Sequence, residues 1–164
     1  MLARSLFTFA ALSLLAVPAI AQDIPAKLVP PQEGPLVGRY TAKGVQIYAC
    51  NVKGGASEWG FKAPEAELFD VQGRPFAKHF AGPTWEAPDG SKIVGRILAS
   101  EPAPKTGAIP WLLLSAESSR SGVLSGARFA QRVNTSGGVG PTGACQTVGT
   151  ERRVDYTADY IFYK

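Results

Sequence analysis

The chain has 164 residues, 45% of them hydrophobic, and 17 basic against 13 acidic side chains leave a formal charge of +4 at neutral pH. That length accommodates one domain with its own core. The nine arginines and eight lysines are scattered, and Arg152-Arg153 is the only adjacent pair. This argues against nucleic acid as a partner, which demands a concentrated basic face.

Residues 1–21 read as a secretory signal: Arg4, an uncharged apolar run over 5–17, then Ala19-Ile20-Ala21. The run is short for a bilayer span and lacks a charged stop-transfer flank, so cleavage after Ala21 is expected, leaving no transmembrane anchor and a secreted or periplasmic address. Removing 21 residues from 164 leaves 143 and a formal charge of +3. Four prolines within 22–35 predict an extended lead-in, and the folded domain is expected over 36–164.

From there short β-branched and aromatic runs alternate with turn formers, and no 3.6-residue apolar stripe persists, which predicts an all-β domain. Strands are expected over 36–42 and 45–52, with Lys43-Gly44 as the turn between them, and then over 59–62, 65–70 and 76–80. Pro88-Asp89-Gly90-Ser91 predicts a tight turn between a segment ending at Glu86 and a strand over 92–100. A proline-rich loop over 101–110 leads into a strand over 111–116. Its Trp111-Leu112-Leu113-Leu114 run does not alternate, which predicts cover on both faces. Strands over 123–135 and 150–163 close the list; the last puts Val154, Tyr156, Ala158, Tyr160 and Phe162 on one face. Such faces are buried by an antiparallel β-sandwich or a small closed barrel of about 8–9 strands, here expected as a monomer.

Cys50 and Cys145 are the only cysteines, and in an oxidising compartment a distant pair reads as a disulfide, tying the glycine-rich 136–149 loop to the 45–52 strand. One histidine with Glu86 and Asp89 supplies neither a zinc nor a calcium site, and Cys-x-x-Cys-His is absent, so no metal and no cofactor is expected.

The sequence resembles the DUF3455 family, a domain of unknown function. The resemblance rests on His79-Phe80-Ala81-Gly82-Pro83-Thr84-Trp85-Glu86 followed by Asp89-Gly90-Ser91-Lys92, and on Lys43-Gly44-Val45-Gln46-Ile47-Tyr48 with Cys50. It continues through Ile109-Pro110-Trp111-Leu112, Gln131-Arg132-Val133-Asn134-Thr135 and Tyr156-Thr157-Ala158-Asp159-Tyr160. It implies a secreted bacterial or fungal domain and brings no mechanism. Some relatives carry a dehydrogenase label, which finds no Gly-x-Gly-x-x-Gly turn here.

His79 is the sole histidine, and Glu86 and Asp89 follow it closely, so a small secreted hydrolase with His79 as general base, oriented by either carboxylate, is one reading. No Gly-x-Ser-x-Gly or Ser-x-x-Lys marks a nucleophile for it. The preferred reading is a binding or interaction module for a saccharide, a small amphipathic molecule or a cell-envelope or extracellular partner. Trp85 and Trp111 are its stacking candidates. Arg132 and Asn134 share a strand face by period two; an inward arginine would require an ion pair to Asp159 or Glu86, or an anionic ligand. Asn134-Thr135-Ser136 also matches the N-glycosylation pattern. A small outer-membrane barrel is disfavoured by short runs punctuated with Lys and Arg.

Overall fold

The computed structural model describes residues 23–32 and 34–164; the expected signal peptide and its cleavage site lie outside them. Eight antiparallel strands, each hydrogen-bonded to the next and the last to the first, close into an up-and-down barrel. They are β1 (Leu36–Lys53), β2 (Ala56–Phe69), β3 (Pro75–Phe80), β4 (Thr84–Glu86), β5 (Lys92–Glu101), β6 (Trp111–Ser118), β7 (Phe129–Gly137) and β8 (Glu151–Tyr163). Of the two expected architectures, the closed barrel is the one formed. No described helix is long and apolar enough to cross a membrane.

The predicted turn at Lys43-Gly44 is corrected: Gly44 lies in the middle of β1, paired with Ala66 on one side and Tyr156 on the other. A Cβ at 44 would collide with the Glu65 carbonyl and with Ala66, so glycine here lets two neighbouring strands press together where the sheet coils. The reversal comes at Gly54-Gly55, whose φ angles of 59° and 85° suit a two-residue hairpin. The separate strands expected over 59–62 and 65–70 are one strand, β2, with a register shift that leaves Lys62 without a partner on β1.

Inside the barrel, β8 alternates as read, with Tyr156, Ala158, Tyr160 and Phe162 in the lumen. Leu112 and Leu114 join them from β6, while Trp111 and Leu113 point outward into a second cluster with Val133, Ile161 and Leu28. The lead-in, with a single 3-10 turn at Ala26–Leu28, covers that outer cluster, so β6 is buried on both faces. Gln131 clamps it there by donating from Nε2 to the Leu28 carbonyl at 2.6 Å. Lys43, Glu67, Lys78, Arg153 and Asp155 are exposed around the outer wall, the reverse of a lipid-facing apolar band.

One end of the barrel is plugged. The strand expected over 123–135 begins only at Phe129, because 120–128 turns across the opening and drops Leu124, fully buried, into the lumen. Asp89 and Ser91 hold it: the backbone N–H of Val123 donates to the Asp89 carboxylate at 2.9 Å, and that of Leu124 to the Ser91 hydroxyl at 3.2 Å.

The wall near the other end has a notch. β3 and β4 are short, so β2 loses its β3 partner beyond Ala66 and β5 loses its β4 partner beyond Val94. Pro64, which has no N–H to offer, sits on that unpaired stretch of β2. The rest of this end is roofed by Ile109 and Gly138, held by Thr135 donating to the Ile109 carbonyl at 2.6 Å and Tyr48 to the Gly138 carbonyl at 2.7 Å. Cys50 and Cys145 are bonded, with Cα atoms 5.7 Å apart, and fasten the 136–149 loop beside that roof.

Candidate binding cavity in the barrel

Behind the notch lies a cavity of about 110 Å³. Gln46, His79, Trp85, Leu114, Arg132 and Tyr160 line its depth; Phe61, Pro83 and Ile97 form its mouth. Phe61 and Ile97 are 57% and 60% exposed, and Leu98 beside them is 54% exposed. Leu98 is the residue that β5 inserts without a partner on β6, so bulges at Lys62 and Leu98 flank the entrance from both sides.

His79 and Trp85 are cross-strand partners on β3 and β4, and their rings stack with centroids 4.6 Å apart and planes 6° from parallel. Tyr160 meets both rings edge-on. Gly95 makes room for this stack, since a Cβ there would press on the Trp85 ring and Leu114 at 3.0 Å. His79 Nδ1 donates to the Thr84 carbonyl at 2.9 Å, which assigns the proton to Nδ1 and leaves Nε2 as an acceptor. Burial drives the imidazole pKa down to about 4, assisted by the Arg132 charge and opposed by the Thr84 bond, so the ring is neutral at pH 7.

Among the described residues, four buried polar atoms on the lumen side have no hydrogen-bond partner: Gln46 Nε2, Trp85 Nε1, Tyr156 Oη and Tyr160 Oη. The Gln46 amide and the Arg132 guanidinium lie close enough to the two hydroxyls to bear on their ionisation, yet none of these pairs has hydrogen-bond geometry. Burial raises both tyrosines, so they remain neutral donors. Arg132 donates from Nε and Nη2 to the Pro110 carbonyl at 3.1 and 2.8 Å. Among the described residues no carboxylate pairs with it. Orphaned buried polar groups cost free energy, and three of these four belong to residues that line the cavity together with Arg132.

The sequence candidates divide. His79, Trp85 and Arg132 meet at the cavity. Glu86 pairs with Lys92 at 3.3 Å, and Asp89 accepts from the Ser91 N–H, the Ser91 hydroxyl and Val123, so neither carboxylate orients His79. Trp111 is 1% exposed beneath the lead-in, and Trp85 is fully buried, so neither offers an open stacking platform. The period-two pairing of Arg132 with Asn134 is corrected: Asn134 adopts φ 51°, the β7–β8 register shifts there, and its side chain turns outward to donate to Asp159 at 2.8 Å. Arg132 pairs with neither Asp159 nor Glu86: it lies opposite the inward Tyr160, while Asp159 is bonded by Thr41 and Asn134 and Glu86 is paired with Lys92, and its guanidinium donates to the Pro110 carbonyl instead.

Gln46, Tyr156 and Tyr160 escaped the sequence reading as site residues. The signal was there in part, since two hydroxyl-bearing rings stood on the inward face of the most regularly alternating strand. Among the described residues no group of three or more His, Cys, Asp or Glu is placed to hold a metal ion.

A family model described as a protein of unknown function, DUF3455, matches residues 30–164. Comparisons with curated proteins and with solved structures return no match.

Proposed function

The chain belongs to the DUF3455 family, whose description assigns no chemistry, and we therefore propose from the barrel itself that it is a secreted or periplasmic binding module for a small amphipathic molecule. One observation carries this reading: residues with unpartnered buried donors line a cavity that opens through a notch rimmed by exposed apolar side chains. The ligand's polar end would meet Gln46, Trp85 and Tyr160, and its apolar body would lie along Phe61 and Ile97. Export is supported by the signal-like residues 1–21 and by the disulfide.

The hydrolase alternative draws no support from the geometry. His79 is held by a carbonyl, its low pKa makes it a weak base, and the cavity wall includes no serine or cysteine nucleophile. The test is a titration of the ¹⁵N-labelled mature protein with benzyl alcohol, benzamide and benzoate at millimolar concentration. The Trp85 indole N–H resonance is expected to move while that of Trp111 stays fixed. A Trp85 signal indifferent to all three compounds refutes the binding reading.

A further inference from the structure

We propose that the polar end of the ligand is a carboxylate, which makes the ligand class small aromatic or short-chain organic acids; this rests on the binding reading above. Three features of the wall select an anion over a neutral polar head.

The first is the donor count. Gln46, Trp85 and Tyr160 line the cavity, each with a buried donor that has no partner in the fold, and Arg132 adds a permanent charge. An ionised carboxyl group is acceptor-only, with two oxygens and about four lone-pair positions, and so matches a wall that chiefly donates. An amide or alcohol would bring donors of its own to a surface with few acceptors.

The second is charge. Arg132 acts on His79, Tyr48, Tyr156 and Tyr160, which places its field across the inner wall, and no acidic side chain lines the cavity. Lys62, the other cation of the lining, is already paired with Glu151. A guanidinium whose bonds go to one backbone carbonyl keeps its charge uncompensated, and a carboxylate is the partner whose planar geometry it fits.

The third is size. A cavity of about 110 Å³ approaches the roughly 150 Å³ of an engineered pocket that takes up benzene. One ring or a few methylene groups fit behind the mouth, and a longer tail would emerge between Phe61 and Ile97.

The experiment measures dissociation constants of benzoate, benzamide and benzamidine, which share one ring and differ in head charge, for the mature protein and for Arg132→Gln. Benzoate is expected to bind about ten- to a hundredfold more tightly than benzamide, the range of a charge-assisted hydrogen bond. Arg132→Gln is expected to bring the two constants together, chiefly by weakening benzoate. Equal wild-type affinity for benzoate and benzamide, or preference for benzamidine, overturns the carboxylate assignment and leaves the binding module standing. Absence of binding by all three removes both. The wild-type ratio needs no variant, so a misfolded Arg132→Gln protein would not shelter the proposal. A folded one that keeps the preference for benzoate overturns Arg132 as its source.

Discussion

His79 should make this barrel sensitive to mild acid. Its imidazole is 3% exposed, and burial lowers its pKa from the ordinary 6.5 to about 4. Between those values the unfolded chain binds a proton that the folded one refuses. The stabilisation from a neutral ring is therefore complete above 6.5 and is lost as pH falls towards 4. Each pH unit in that window is worth about 1.4 kcal/mol, so the whole interval amounts to about 3 kcal/mol, a large share of the about 5–15 kcal/mol that holds a typical domain. His79→Asn isolates the effect, because the amide nitrogen can take the place of Nδ1 and donate to the Thr84 carbonyl without titrating. Urea unfolding of both proteins between neutral pH and about 4.5 supplies the comparison. The variant will be weaker at pH 7, having lost the stack on Trp85, yet the gap should close steadily with acid. Carboxylates that also lose protection at low pH, such as Asp70 and Asp89, are common to both chains and cancel in the difference. Parallel stability curves would show that His79 is not desolvated in the folded state and would sink the reasoning.

Gly44→Val should lower stability by about 1–3 kcal/mol or more through overpacking against Ala66 and the Glu65 carbonyl, read as a fall in urea midpoint; an unchanged midpoint would remove the close approach as the reason for glycine there. Replacing both Cys50 and Cys145 by serine should cost about 4–5 kcal/mol in the chain-entropy model for a sequence separation of 95, with the native protein refusing alkylation until reduced. Asp89→Ala should speed amide hydrogen exchange at Val123 and Leu124, loosening the plugged end while benzoate binding at the opposite end is retained. Unaltered exchange at those amides would deny Asp89 its role as the latch.

Much of this was legible because side-chain parity along a strand is a local property. The inward face of β8, the double burial around Trp111 to Leu114 and the Asp89-Gly90 reversal follow from residues close together in the sequence. Closure was not legible. Whether two sheets stack or one curls shut is decided by β1 meeting β8, a pairing between the two ends of the domain that leaves no local mark. Gly44 shows a second ambiguity: glycine serves both for positive φ and for close backbone approach, and one sequence cannot say which. Asn134 shows a third, because a single left-handed residue reverses the parity of everything after it and separates it from Arg132. Tyr156 and Tyr160 were correctly turned inward. That their hydroxyls lack partners depends on the opposite wall and could not be read from periodicity.

The pairing of β1 with β8 also sets a timetable for assembly. Its first strand leaves the ribosome long before the strand that must shield its outer edge. Until then two ribbon margins stay open to any neighbouring chain that could add a strand. A nascent or truncated polypeptide lacking β8 is accordingly a hazard for aggregation, and the finished molecule, its open margins reduced to the short stretches of β2 and β5 at the notch, is protected from that fate.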